Sequence, residues 1–220
     1  SKAWDEAATQ AAVEVAVYVV KNLDRLSQSK SSDTNRAEKV ESFCRDFVEA
    51  AFRQPLSKEQ EKQFVSVHLA GAPKPEDAVN RVVLLALKSP RFLYLGLGNS
   101  KPVDFAAAER LAFGLWDSVP DEELRKLAAE RALHTREQVA RQARRMLGDA
   151  RAQAKMRSFF QHWLQMNRVD DLSKDPEVYP GFTAEIVSDL RASLFRFLDD
   201  VVWSDSSDYR RLLLDENLFV

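Results

Sequence analysis

The sequence predicts an all-α protein, and three observations carry that prediction. Apolar residues recur at helical spacing along almost the whole chain, and no run alternates apolar and polar residues as a strand does. Glycine and proline are scarce, at 6 and 8 of 220 residues, and 30% of the residues are charged. Capping patterns mark several helix starts. We therefore expect nine to ten helices in two packed helical bundles.

The expected helices follow one another through mostly short connections. They are placed at about 4–26, 36–53, 57–70, 75–89, 104–117, 120–131, 135–147, 152–166, 183–203 and from 208 onward. Ser57 with Gln60 forms a capping box, and Pro90 ends the fourth helix because proline disfavours helix at the preceding residue. We assign 1–95 to an N-terminal helical unit and 96–220 to a C-terminal unit, which meet through "SPRFLYL" (89–95).

The apolar helix faces predict which side chains are buried. The aromatic residues expected mainly in the core are Trp116, Phe159, Trp163, Phe195, Phe197 and Trp203. Cys44 is expected to be a buried, inert thiol, because free cysteines are usually buried. A reactive thiolate would instead need an accessible, electropositive setting.

Composition excludes several classes of protein. The net charge of −2 argues against a nucleic-acid binder. Cys44 is the only cysteine, so the chain has no internal disulfide, no cysteine-based zinc site and no CxxCH haem attachment. No apolar run approaches the roughly 20 residues of a membrane span. The chain begins without Met or a signal peptide and stops at an apolar "LFV", so we expect both ends to be cut from a longer protein.

Three consecutive carboxylates at 121–123, within "FGLWDSVPDEELRKLA" (113–128), raise the question of a catalytic acid cluster. We place the N-cap at Ser118 or Val119 and Pro120 in the first turn, where its missing N–H costs nothing. Carboxylates in a first turn are favoured by the helix dipole by about 0.3–1 kcal/mol each. An acid–base pair would need carboxyls in different environments. The segment is therefore interpreted as a helix start.

Two pairs of residues are candidate ligand or interface sites. His162 and Met166 stand four residues apart, and on one helix face they can in principle ligate a metal or haem iron. We favour the alternative, a surface histidine beside core aromatics. Arg91 and Tyr94 lie in "SPRFLYL", where Arg91 can anchor a carboxylate or an acidic sugar. The alternative that we favour has Arg91 pairing with a helix C-terminus or a buried carboxylate, while Phe92, Leu93 and Tyr94 fill the core.

Charge is distributed unevenly near the C-terminal end. Residues 136–157 hold seven basic residues against two acids, and residues 170–208 hold ten acids against three bases. A basic patch can bind polyanions. The basic segment can equally face the acidic segment within the fold or form a solvated helix face. The near-neutral net charge of the chain favours these two interpretations.

Several segments in one order carry a resemblance to a known family. They are "FVEAAFRQPLSKEQEKQFV" (47–65), "LALKSPRFLYLG" (85–96), "RLAFGLWDSVPDEELRKLA" (110–128), "ARRMLGDARAQAKMRSFFQHWLQMNRVDDL" (143–172), "YPGFTAEIVSDLRASLFRF" (179–197) and "LLLDENLFV" (212–220). Together they resemble the planctomycete-type, cytochrome-c-associated multidomain proteins, in which domains of unknown function 1595 and 1592 follow each other. The resemblance implies an exported parent protein, periplasmic or secreted, often with a separate c-type cytochrome module. It supplies no catalytic residue.

Three functional hypotheses follow. The preferred one is a non-catalytic helical scaffold or interaction module of a larger exported, cytochrome-associated protein. Its partners would be other domains or chains of that parent, among them a c-type cytochrome, or an extracellular polymer. The second is part of an oxidoreductase completed by other regions, with haem in a separate domain and no cofactor in this chain. The third is a polysaccharide hydrolase using carboxylates such as Asp170, Asp171, Asp175 or Glu177, which would need two carboxyls about 5–9.5 Å apart.

Overall fold

The computed structural model describes residues 2–96, 102–166, 172–206 and 208–215. Over these residues the fold is all-α, as predicted: 71% are helical and none forms a strand. Counting the continuous helical segment 58–70 once, they form twelve helices, of which nine have seven or more residues. The count exceeds the predicted nine to ten because the four-residue turns Leu23–Leu26 and Pro90–Leu93 are separate helices.

The helices are named in chain order. They are α1 (Lys2–Lys21), α2 (Leu23–Leu26), α3 (Arg36–Phe52), α4 (Lys58–Glu61), α5 (Val67–Ala70), α6 (Pro75–Lys88), α7 (Pro90–Leu93), α8 (Val103–Trp116), α9 (Glu122–Ala129), α10 (Arg136–Leu147), α11 (Ala150–Trp163), α12 (Ala184–Trp203) and α13 (Arg211–Leu214). A π-helical turn, Lys62–Ser66, joins α4 to α5, so that 58–70 is one continuous helix. No helix in the described ranges is both long and apolar enough to cross a membrane.

The chain divides into two compact units. Unit 1 comprises Ser1–Phe113 and Ser118–Ala140, and unit 2 comprises Gly114–Asp117 and Arg141–Val220. The assignment of 1–95 and 96–220 to two family modules stays a prediction.

The core of unit 1 forms where α6 packs against both α1 and α3. The apolar face of α6 repeats at helical spacing through Val79, Val82 and Val83, all fully buried. Cys44 of α3 lies in the same cluster, which confirms the predicted buried thiol. Each fully buried valine contributes about 1.5–3 kcal/mol of hydrophobic stabilisation.

Arg53 is the polar centre of unit 1. It caps the end of α3 in the left-handed conformation, with φ 58°, and is only 1% exposed. Its Nε donates to the carboxylate of Glu109, its Nη1 donates to the carbonyl oxygens of Ala51 and Phe92, and its Nη2 donates to that of Arg91. A single guanidinium therefore fixes the start of "SPRFLYL" against α3 and α8.

Trp116 is buried in unit 2, as predicted. Its Nε1 donates to the Met146 carbonyl at 3.0 Å, and the guanidinium of Arg151 lies 3.5 Å from the ring centroid. Indole N–H groups usually have such a partner when they are buried, and a cation over the ring face is attracted by its quadrupole. The two contacts join the end of α8 to the end of α10 and to the start of α11.

Helices α11 and α12 form a second core cluster in unit 2. Phe160, Met166 and Leu198 are buried there, and Phe195 packs against them half-buried. Two further aromatics predicted for the core, Phe197 and Trp203, are also half-buried. Arg157 of α11 pairs with Asp199 of α12, so the basic segment faces the acidic one at this point, as the intramolecular reading predicts.

The carboxylates at 121–123 begin a helix, but the helix begins two residues later than predicted. α9 begins at Glu122, and its N-cap is Asp121, whose side chain accepts a hydrogen bond from the Leu124 N–H at 2.9 Å. The predicted N-cap at Ser118 or Val119 is wrong, because the aspartate oxygen reaches the third helical N–H. Pro120 precedes the cap instead of starting the helix.

Candidate functional site

The most prominent exposed aromatic group in unit 2 lies on α11. Phe159 is 52% exposed and Trp163 is 58% exposed, so their predicted place in the core is wrong. The physical reason is that their neighbour Phe160 points into the core instead, against Leu198 and Met166. Adjacent helical positions point about 100° apart, so one of the two phenylalanines must face outward.

Phe159 and Trp163 stack on each other at the helix surface. Their ring centroids are 5.7 Å apart and their planes differ by only 24°. A spacing of four residues brings two side chains together on one helix face. The two rings border an open cleft of about 540 Å³ that is lined by Asp117, Lys155, Ser158, Phe159, His162 and Trp163. We call these six residues the aromatic cleft.

The polar groups of the aromatic cleft include both hydrogen-bond donors and hydrogen-bond acceptors. Lys155 forms an ion pair with Asp117, so these two charges offset each other. The Nδ1 atom of His162 lies 2.7 Å from the Ser158 carbonyl oxygen. A carbonyl only accepts, so Nδ1 carries the proton and Nε2 is the acceptor of the neutral ring.

The structure does not bring His162 and Met166 together on one helix face. α11 ends at Trp163, and Gln165 takes the left-handed conformation with φ 54°. Met166 therefore turns into the core of unit 2, whereas His162 stays exposed beside the two aromatic rings. The predicted i, i+4 geometry depended on a helix that reached Met166.

The structure separates the roles predicted for Arg91 and Tyr94. The Arg91 side chain is exposed. Its backbone carbonyl accepts a hydrogen bond from Arg53, and its backbone N–H donates to the Ser89 hydroxyl. Tyr94 is also exposed, with its ring 5.9 Å from that of Trp4. The favoured interpretation is wrong for Arg91, because Arg53 takes the buried carboxylate, and for Tyr94, which is exposed. Phe92, which it also placed in the core, does pack against the core cluster of unit 1. The role of Arg91 and Tyr94 in ligand binding stays a prediction.

The loop carboxylates proposed for hydrolysis are only partly within the described residues. Asp170 and Asp171 lie outside them. Asp175 accepts a hydrogen bond from the Glu177 N–H at 2.9 Å, which is a local turn in an exposed loop. Within the described lining of the aromatic cleft, Asp117 is the single carboxylate. Among the residues that the structure describes, no group of three or more His, Cys, Asp or Glu side chains is placed to hold a metal ion.

Sequence reasoning missed the residues that matter most in each unit. Arg53 and Glu109 stand 56 positions apart, and nothing in "FRQP" separates a buried arginine from a solvated one. The aromatic cleft left a fainter signal. Lys155, Phe159 and Trp163 recur every four residues, which predicts a shared face but not its exposure.

Comparison with known proteins gives a family for the larger part of the chain. No curated protein and no solved structure matches it. The family described as protein of unknown function (DUF1592), or PSD4, matches residues 103–220, more than half of the 220 residues and the whole of the aromatic cleft. The chain therefore belongs to the DUF1592 family.

Proposed function

We propose that this chain is a non-catalytic helical binding module of a larger exported protein, and that it holds an uncharged extracellular polysaccharide in the aromatic cleft. One observation carries the proposal. Phe159 and Trp163 present two nearly parallel, half-exposed rings at the edge of an open cleft.

The two rings suit the flat face of a sugar. The C–H groups of a pyranose ring form an apolar face with slight positive charge, and the face of an aromatic ring is negative. Large aromatic rings in contact with each other at the surface add apolar area at little entropic cost, since each side chain has two rotatable bonds. Phe159 and Trp163 are further restrained by Phe160, whose ring lies 5.3 Å from Phe159 and 6.0 Å from Trp163.

The charges of the cleft favour an uncharged ligand. Lys155 and Asp117 neutralise each other, so an anionic or cationic polymer gains little net attraction there. The same two groups, with the Ser158 hydroxyl and the His162 Nε2, can exchange hydrogen bonds with sugar hydroxyls, which both donate and accept. An apolar platform with a few polar groups at its edge is the usual composition of a small-molecule site.

The same composition argues for binding without turnover. Glycoside hydrolysis ordinarily uses two carboxyl groups on either side of the scissile bond. The described lining of the cleft supplies Asp117 alone, and Lys155 already holds it. We therefore propose retention of the polymer, not its cleavage.

The parent protein is proposed from the resemblance. It would be periplasmic or secreted, would carry domain of unknown function 1595 before this family domain, and would have a c-type cytochrome in a separate module. An absorption spectrum of the full-length parent beside this chain tests the last point. A haem Soret band in the parent and none in this chain is the expected result. Absence of a band from the parent would remove the cytochrome association and, with it, the oxidoreductase alternative.

Affinity electrophoresis through neutral polysaccharides tests the binding function. The panel comprises a cellulose derivative, xylan, mannan, a β-glucan and soluble chitin, with alginate as the anionic comparison. We expect retardation by at least one neutral polymer and weakening of about tenfold or more with Trp163→Ala, since stacked aromatic contacts are lost. Phe159→Ala should weaken binding less, because Trp163 keeps the larger ring.

The matched control is Trp4→Ala, which removes a tryptophan of unit 1 that is 47% exposed, against 58% for Trp163. Trp4→Ala should leave the retardation by the polysaccharide unchanged. Both tryptophan variants should unfold at the same temperature as the unsubstituted chain. Equal loss in the two variants, or release of new reducing ends during incubation, would contradict the proposal.

A further inference from the structure

α1 carries two apolar seams, and only one of them is covered. The first, Ala12, Ala16 and Val19, is buried in unit 1, where α1 packs on α6. The second consists of Trp4, Ala8, Ala11, Val15 and Tyr18, of which all but the half-buried Ala8 are exposed. Its spacing of 4, 3, 4 and 3 residues is typical of the apolar face with which a helix packs on another helix. We call these five residues the outer seam.

The outer seam has a defined shape. Small residues, Ala8 and Ala11, occupy its middle, and aromatic rings, Trp4 and Tyr18, stand at its two ends. Fourteen helical positions separate the rings, which is about 21 Å at 1.5 Å per residue. A helix lying along it would approach closely at the alanines and be held between the rings. Large apolar side chains on that helix would fit over Ala8 and Ala11.

Lysine or arginine side chains stand at both ends of the outer seam, and the carboxylates beside Trp4, those of Asp5 and Glu6, are paired with Lys88 and Lys2. At the Tyr18 end, Arg25 donates to the Tyr18 hydroxyl at 3.0 Å, and Lys21 is exposed. At the Trp4 end, Tyr94 packs on the Trp4 ring, and Arg91 is exposed three residues before it. Among the described residues the Arg91 side chain has no carboxylate partner.

These charges decide between two occupants. A second copy of the chain, placed antiparallel, would put the Lys21–Arg25 end of one seam beside the Arg91 end of the other, and like charges would repel. A helix with acidic residues flanking its apolar seam meets opposite charge at both ends. We infer that the outer seam docks an amphipathic, acidic-flanked α-helix of another domain or chain. This inference is independent of the polysaccharide site, since every residue in it belongs to unit 1.

A synthetic peptide tests the inference directly. The probe is an amphipathic helix about three heptads long, with leucine at the seam positions and glutamate beside them. The matched peptide has lysine in place of glutamate. Binding to the full chain is measured by fluorescence anisotropy of the labelled peptides at low and high salt. We expect the glutamate peptide to bind more tightly, and its advantage to shrink as salt screens the charges.

Variants locate the binding. Ala11→Glu places a charge in the middle of the outer seam and should weaken the glutamate peptide by about tenfold or more. Val17→Glu is the matched control, on a 59% exposed position of the same helix away from the seam, and should change little. Arg91→Ala should reduce affinity at low salt and leave the high-salt value unchanged.

Three results would overturn the inference. These are no binding of the glutamate peptide, equal weakening by Ala11→Glu and Val17→Glu, or tighter binding of the lysine peptide. Light scattering of the chain without peptide shows whether the chain associates with itself. A dimer that Ala11→Glu dissociates would assign the outer seam to a second copy instead.

Discussion

Units 1 and 2 use the same kinds of side chain in opposite places. In unit 1, Phe52 meets Phe64 edge to face at 4.9 Å within the core cluster, and Arg53 pairs with Glu109 out of contact with solvent. In unit 2, Phe159 and Trp163 stack at the surface, and the Lys155–Asp117 pair beside them is partly exposed. The difference teaches that the residue types alone do not identify a site: their burial decides whether they hold the fold or face a ligand.

The largest expected effect comes from breaking the buried pair of unit 1. Glu109→Leu leaves the Arg53 charge buried without its carboxylate, and we expect the free energy of unfolding to fall by about 3–5 kcal/mol. Urea denaturation followed by circular dichroism measures the change. The surface pair gives the comparison. Asp117→Asn, which tolerates the left-handed backbone at that position (φ 50°), should cost less than about 1 kcal/mol. An equal loss of unfolding free energy in Glu109→Leu and Asp117→Asn would contradict the difference between the two units.

A smaller effect is expected from the buried hydrogen bond of Trp116 in unit 2. Trp116→Phe removes the hydrogen bond to the Met146 carbonyl and leaves that buried oxygen without its donor. Such a loss costs about 1–3 kcal/mol. The exposed Trp163→Phe should stay within about 0.5 kcal/mol of the unsubstituted chain. If Trp163→Phe proved the more destabilising of the two in urea, the assignment of inner and outer aromatics in unit 2 would be wrong.

The smallest effect concerns the thiol of unit 1. Burial, reinforced by the charge of Glu41, raises the pKa of Cys44 from 9.0 to about 12. The native thiol should therefore resist a disulfide reagent at pH 8 and react only in unfolding concentrations of urea. Because the raised pKa means that the folded state holds this proton more tightly, its stabilising contribution is complete below about 9. It is lost as the pH rises toward about 12. Rapid labelling of Cys44 in the native chain at pH 8 would show that the core of unit 1 opens readily.

Local features of the fold could be predicted from sequence. The capping box at Ser57 and Gln60 is present as predicted, because both partners lie within one turn. The buried faces of α3 and α6 follow from apolar spacing alone. The helix predicted from residue 120 begins two residues later, at Glu122, because the backbone path selects Asp121 as the N-cap and the local sequence does not show that path.

The candidate sites could not be predicted in the same way. Periodicity shows that Phe159 and Trp163 share a face, but what covers that face depends on residues far along the chain. For the same reason Arg91, which lies beside the aromatic run, was predicted to be the arginine that pairs inside the protein. The guanidinium that holds that run is Arg53, on an earlier helix, and its carboxylate comes from a later one. Long-range pairing of this kind leaves no local pattern.

The most direct test of the central claim is a calorimetric titration of this chain with an oligosaccharide of the neutral polysaccharide that retards it most. We predict saturable binding, weakened by about tenfold or more in Trp163→Ala and unchanged in Trp4→Ala, with the sugar recovered intact. Binding that is indifferent to Trp163, or a sugar recovered in shorter pieces, would contradict the assignment of the aromatic cleft as a non-catalytic polysaccharide site.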